Sequence, residues 1–223
     1  MDSLGGNKSY VLRKGRATRA QKKAVELYWH EYGVEDIKSS TYLNSFFSKK
    51  KKVALEIGFG SGENLIYLAE NLRDISFVGI EVYDSGIGSL INKAKQKELK
   101  NLKIIRKDAE EVLGTFEKET FEFILLFFPD PWPKKKHQKR RLVNNEFIDL
   151  LKKTLKVGGI FYCKTDSKDY YLEIKRKFLK SKGWLRLKKN QLPKVFLDSP
   201  KTKYENRALK EGGTPKALIY KRF

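Results

Sequence analysis

The chain has 223 residues, with 48 Lys and Arg against 27 Asp and Glu, a net charge of +21, and 40% hydrophobic and 13% aromatic residues. This is enough for one domain with an extension and a real core, and a positive field of that size favours polyanions, either nucleic acid or an anionic membrane surface. No run of about 18 apolar residues offers a spanning helix, Met1 to Lys8 lack the apolar core of a secretory signal, and the single Cys163 excludes an internal disulfide, so the expected compartment is a reducing cytosol.

The N-terminal residues 1–9 are polar and glycine-bearing, which predicts disorder, and Tyr10 to Arg19 is basic through Arg13, Lys14, Arg16 and Arg19. Ala20, Ala24, Leu27 and Tyr28 then recur at helical spacing. The lysine run Lys49–Lys52 closes this extension and reads as a linker or a phosphate contact. The expected organisation is a basic, partly helical extension over 1–52 and a catalytic domain over 53–223.

From Val53 the pattern changes. Short apolar runs predict strands at Val53–Ile57, Phe77–Val82, Leu102–Arg106, Phe121–Phe128, Ile160–Lys164, Leu185–Lys188 and Ala217–Lys221. Helical patterns fall between them at Glu63–Asn71, Ser85–Glu98, Asn145–Leu155 and Lys168–Lys182. Strands that alternate with helices mean crossover units and a mainly parallel α/β sheet. The last two strands show no helix pattern between them, which suggests an antiparallel pair at one edge. Their polar connection, Pro193–Pro215, is too long for a plain loop and is a functional candidate.

The first strand runs into Glu56-Ile57-Gly58-Phe59-Gly60-Ser61-Gly62-Glu63 and then a helix. Glycines in such a turn let the backbone approach a ligand. Glu81 ends the second strand, where an acid accepts bonds from ribose hydroxyls. Two cofactors compete here. A dinucleotide asks for G-x-G-x-x-G, but the spacing is G-x-G-x-G and Glu63 stands in the third glycine's place, where a carboxylate repels a pyrophosphate; Glu56 adds negative charge. S-adenosylmethionine, with amino, sulfonium and ribose groups and no phosphates, suits this acidic turn better. Glu63 equally reads as a helix-capping acid. Asp108, after the third strand, reads as an acceptor for the adenine amine, as an N-cap for a short helix over Ala109–Leu113, or as both.

The apolar run Phe121–Phe128 breaks off at Pro129-Asp130-Pro131-Trp132-Pro133, where the prolines forbid continued pairing and force a turn. Lys134-Lys135-Lys136-His137-Gln138-Lys139-Arg140-Arg141 follows at once. An acid, an aromatic and a basic run at a strand end suggest chemistry on a polyanion; a loop before a solvated helix start is the alternative. Trp132 reads as a stacking face for a base or as a hydrophobic plug under the loop. His30 and His137 lack spaced ligand partners, so no metal is expected.

These residues resemble the bacterial tRNA (guanine-N7-)-methyltransferases over nearly the whole chain. The resemblance rests on Ser9–Arg16, Leu55–Gly62, Gly79–Val82, Phe128–Trp132 with its basic tail, Thr165-Asp166, and Thr202-Lys203-Tyr204-Glu205-Asn206-Arg207. The glycine turn is common to many methyltransferases; the Pro-Asp-Pro-Trp and Thr-x-Tyr-Glu-x-Arg segments are far more specific. The resemblance implies a Rossmann-like, seven-stranded class I methyltransferase sheet and methyl transfer to N7 of the variable-loop guanine, guanine-46, of tRNA. It implies that Glu56, Gly58, Gly60, Glu81, Asp108 and Asp130 line the S-adenosylmethionine site, with Asp130 catalytic. It implies that Lys134, Asp166, Thr202, Lys203, Tyr204 and Glu205 bind tRNA, in a cytoplasmic monomer or homodimer. Lys136 departs from the family, where Arg more often precedes the His, and Lys offers only a point charge there. The remaining alternatives are a methyltransferase for another RNA position and a non-catalytic tRNA-binding subunit. A thiolate mechanism has no support, because Cys163 is alone in a strand pattern.

Overall fold

A computed structural model of the chain describes residues 16–35 and 52–223. The expected disorder of 1–9, most of the basic stretch 10–19, and the lysines before Lys52 lie outside the described residues.

Seven strands form one sheet: β1 (Lys52–Ile57), β2 (Ile75–Ile80), β3 (Leu102–Ile105), β4 (Phe121–Phe127), β5 (Leu155–Thr165), β6 (Trp184–Arg186) and β7 (Lys216–Arg222). Their order is β3-β2-β1-β4-β5-β7-β6. β1 pairs in parallel with β2 and β4, β2 with β3, and β4 with β5; β7 runs antiparallel to both β5 and β6. This is the seven-stranded, mostly parallel sheet with an antiparallel C-terminal pair that the resemblance implies. All six residues of β2 are buried, as a strand covered on both faces requires.

The helices are α1 (Arg19–Tyr32), α2 (Glu63–Asn71), α3 (Asp84–Gln96), α4 (Ala109–Thr115), α5 (Asn145–Thr154), α6 (Lys168–Lys180), α7 (Lys194–Leu197) and α8 (Lys203–Lys210). Side-chain caps mark several starts. Thr18 accepts from the Gln21 amide and Gln21 answers to the Thr18 amide in a capping box, while Asn144, Ser167 and Thr202 accept from Phe147, Tyr170 and Glu205 N–H. One apolar layer packs α4, α5 and α6 against the sheet through Val112, Phe147, Ile148, Tyr170 and Phe178. The opposite layer packs α1, α2, α3 and α7 through Ala24, Leu65, Leu68, Leu90, Ile91 and Phe196. Burial of the Val, Leu, Ile and Phe side chains among them, each worth roughly 1.5–3 kcal/mol, is the main stabilising force.

Within the N-terminal extension, α1 lies on α3 so closely that a Cβ on Gly88 would stand 2.4 Å from the Gln21 carbonyl oxygen. Beyond α1, Val34 N–H donates to the Ile104 carbonyl at 2.9 Å, so the segment touches the β3 edge.

The connection from β6 to β7 corrects one expectation. It carries α7 and α8, although no helical pattern is visible there. Phe196 alone of α7 is buried, tilted against Phe123 at 4.6 Å, and Ala208 alone of α8. Helices that bury one residue each leave no periodic apolar stripe to read. Among the described residues no helix is long and apolar enough to cross a membrane, and no group of three or more His, Cys, Asp or Glu is placed to hold a metal.

Candidate active site

The strand order reverses between β1 and β4, and ligands of open α/β sheets bind in the crevice outside the carboxyl ends of such strands. Two connected clefts open there. One, of about 170 Å³, is bordered by Ile57, Gly58, Gly60, Glu81, Lys107, Asp108, Leu126 to Asp130, Leu142 and Tyr204. The other, of about 500 Å³, is bordered by Gln21, Glu56, Gly58, Gly60, Glu63, Asn64, Glu81, Asp130, Thr202, Lys203 and Tyr204. Gly58, Gly60, Glu81, Asp130 and Tyr204 border both.

The glycine turn is built for close approach. Gly58 and Gly60 have φ of +67° and +57°, and a Cβ on either would meet nothing within 4 Å. Side chains there would be strained and would fill space a ligand can use. Gly62 does the packing work, since a Cβ on it would lie 2.4 Å from Leu90 Cδ1. The third glycine's function is thus met at a different spacing from the dinucleotide pattern.

Glu81 is buried at the end of β2 and knots the turn. Its Oε2 accepts from Gly60 N–H at 2.8 Å, and its Oε1 from Val82 and Tyr83 N–H at 2.7 and 3.1 Å. Burial raises its pKa and the three N–H bonds oppose that rise. A carboxylate has about four acceptor sites, so Oε2 retains capacity for a ligand hydroxyl. Glu56 is buried and accepts from Asn64 Nδ2 at 2.8 Å. Burial pushes its pKa up to about 8, with the Asn64 bond working the other way, so near neutral pH it favours a shared proton or a cationic neighbour over a bare charge. At Glu63 burial disfavours the anion, but bonds from Lys93 at 2.8 Å and Ser61 at 2.9 Å outweigh it and hold the pKa below the usual value. Its charge is therefore paired within the turn. The other carboxyl groups on the cleft borders are those of Glu56, Glu81, Asp108 and Asp130.

The loop after β4 is strained at both ends. Phe128 and Trp132 take φ of 54° and 40°, a left-handed region that costs a bulky residue of order 1–3 kcal/mol. Between them Asp130 stands exposed on the border of both clefts. Two bonds hold the strain in place: Phe128 N–H to the Lys164 carbonyl at 2.8 Å, and Arg141 Nε to the Pro131 carbonyl at 2.8 Å. Trp132 borders neither cleft; His137 meets its ring edge-on at 5.8 Å and the Arg140 guanidinium lies 5.0 Å from its centroid.

The basic run divides. Lys134, Lys135, Lys136 and Lys139 are exposed. Arg141, the last cation of the run, is 2% exposed. It bonds Asp169 at 2.5 Å and Glu173, and packs 4.9 Å from the Tyr170 ring centroid. It is a scaffold cation, because its Nε, Nη1 and Nη2 bond the Pro131 carbonyl, Glu173 and Asp169.

The structure brings Glu56, Gly58, Gly60, Glu81, Asp108, Asp130, Thr202, Lys203 and Tyr204 to the clefts. Asp108 caps α4, accepting from Glu110 N–H at 2.9 Å through Oδ1, while also bordering the smaller cleft. Thr202 spends its hydroxyl on the α8 cap, accepting from Glu205 N–H at 3.1 Å. Lys134 and Asp166 are exposed and border neither cleft. Glu205 turns inward to Lys164 Nζ at 3.2 Å. Sequence reasoning passed over Lys164, Asn64 and Gln21. A cation at the end of the otherwise apolar run Ile160–Cys163 was the available sign for Lys164; Asn64 and Gln21 had none.

Sheet order, glycine turn and spaced acid define a class I methyltransferase. A family model described as a putative methyltransferase matches residues 50–218. The chain is 40% identical over 217 residues to a tRNA (guanine-N(7)-)-methyltransferase of Nitrosococcus oceani, covering 96% of this chain and 90% of that protein. Another such enzyme, from Yersinia pseudotuberculosis, is 38% identical over the same length. A putative methyltransferase from Streptococcus mutans, solved in complex with SAH, shares the fold at a TM-score of 0.50 and 12% identity, over 85% of this chain and 99% of that one. The chain belongs to the tRNA (guanine-N7-)-methyltransferase family.

Proposed function

We propose that the protein transfers a methyl group from S-adenosylmethionine to N7 of the variable-loop guanine of tRNA. The observation that carries this reading is the single position of Asp130: an exposed carboxylate between two strained residues, on the border of both a cofactor-sized cleft and its smaller neighbour.

The residues present fit the cofactor. The open space over Gly58 and Gly60 admits a ligand chain, Oε2 of Glu81 can take a ribose hydroxyl, Asp108 faces the smaller cleft beside Ile80 and Leu142, and buried Glu56 suits an ammonium. When bound, S-adenosylmethionine supplies an electrophilic methyl group. Guanine N7 carries an in-plane lone pair and no proton, so no general base has to activate it. Orientation is most of the catalytic task, and well-aligned pairs gain about 7–11 kcal/mol from it. Methylation leaves the purine cationic and its N1 proton more acidic. Asp130 accepts from the N1 and exocyclic amino edge and stabilises that developing charge. Tyr204, 56% exposed and on the border of both clefts, offers a stacking face worth roughly 1–3 kcal/mol to an unstacked base. Lys134, Asp166 and the exposed lysines of the loop contact the rest of the tRNA.

The test incubates the full chain with methyl-labelled S-adenosylmethionine and unmodified tRNA, then digests the RNA. The expected label is in 7-methylguanosine; label in any other nucleoside, or none, overturns the reading.

A further inference from the structure

We infer that Lys164 is a positioning residue that sets the helix bearing Tyr204 against the loop bearing Asp130, and that Glu205 acts through Lys164 and not by touching tRNA. The inference rests on the proposed function, since it concerns how the two sides of that site keep register.

Lys164 sits next to the last residue of β4, paired with Phe127 in the parallel ladder. Its carbonyl takes the N–H of Phe128, the first strained residue of the Asp130 loop, at 2.8 Å. Its ammonium lies over the Phe127 and Tyr162 rings, 5.2 and 5.7 Å from their centroids. It ends 3.2 Å from Glu205 Oε2, where both side chains are nearly closed off from solvent, at 13% and 14% exposed. One residue thus holds the catalytic loop by its backbone and α8 by its side chain.

The rest of α8 gives the helix little other purchase. Ala208 is its one buried residue, and Tyr204, Asn206, Arg207 and Leu209 are exposed. A helix held by so small an apolar contact depends on the specific bond that fixes its first turn. That turn contains Tyr204, one residue before Glu205. A packing role alone needs only the aliphatic stem of Lys164; its ammonium also lies over the two rings and opposes the burial that raises the pKa of Glu56, and Glu205 is the carboxylate it bonds. Removing either partner leaves a poorly solvated charge, so the pair acts as one unit.

The test uses the full chain, unmodified tRNA and labelled S-adenosylmethionine, with Lys164→Met, Lys164→Arg, Glu205→Gln and the Lys164→Met/Glu205→Gln pair. Lys164→Met and Glu205→Gln are each expected to lower kcat/KM for tRNA at least tenfold while KM for S-adenosylmethionine stays within threefold. The double variant is expected to be no worse than Lys164→Met alone, and Lys164→Arg to return within threefold of wild type. Glu205→Gln breaks the pair from the surface helix and reads the proposal even if a core change at Lys164 impairs folding. An active wild type whose Glu205→Gln variant is unimpaired, or whose double variant loses the product of the single losses, overturns the inference alone. A wild type that leaves guanine N7 unlabelled overturns the functional reading, and the inference with it.

Discussion

Asp130 is held where it is by its neighbours. The prolines on both sides deny the chain a ladder or helix, the left-handed Phe128 and Trp132 turn it sharply, and the carboxylate comes to the border of both clefts. Because guanine N7 bears no proton, the acid has nothing to abstract from the nucleophile. In the proposed reaction its contribution would be to the charge that develops on the purine, larger in the transition state than in the ground state. Asp130→Ala is therefore expected to lower kcat about a hundredfold, near 2.7 kcal/mol at 1.36 kcal/mol per decade, with tRNA affinity within about threefold of wild type. Single-turnover rates and equilibrium tRNA binding separate the two quantities. A variant that loses affinity and keeps its rate assigns Asp130 to binding only.

At the level of elements, the loop and the two helices that flank it explain what was legible in advance. Strand alternation, the glycine turn and Glu81 at the second strand's end were readable because each rests on local spacing. The helix α8 was not, since its stability comes from the Thr202 cap, one buried Ala208 and the Lys164–Glu205 pair, none of which leaves a periodic trace. The inward turn of Arg141 was not legible either, for a related reason. Within a run of cations nothing in the spacing marks the one that turns inward, and only the position of α6 supplies its carboxylates Asp169 and Glu173. Arg141→Met should therefore destabilise the fold by about 2–3 kcal/mol, below the full cost of breaking a buried pair because Asp169 is solvated. For a chain of this size that is roughly a 5–10 °C fall in melting temperature. Lys139→Ala, on an exposed side chain of the same run, should leave the melting temperature unchanged. Thermal melts of the two variants decide the matter, and equal behaviour would contradict the division of the run.

At the scale of the whole molecule, the net charge is +21. The cleft borders carry the carboxyl groups of Glu56, Glu81, Asp108 and Asp130, while Lys134, Lys135, Lys136 and Lys139 stand exposed on the loop that follows Asp130. On the proposed function, the carboxyl-lined cleft would take a cationic cofactor and the exposed lysines would draw a polyanion, so cofactor and substrate would be sorted by opposite fields only a few residues apart. Contacts between lysines and phosphates release counterions, and each costs a slope of about 0.7–0.9 in log affinity against log salt. The tRNA affinity of the full chain is thus expected to fall at least tenfold between about 50 and 200 mM salt, with S-adenosylmethionine affinity nearly flat over the same range. Replacing Lys134, Lys135 and Lys136 together by Ala should make the tRNA slope shallower by up to about 2–3 units, while kcat at saturating tRNA remains within a few-fold of wild type. Filter-binding isotherms at four or five salt concentrations measure both slopes. An unchanged slope in the triple variant would mean that these lysines face solvent in the complex and that the phosphates are held elsewhere on the basic surface.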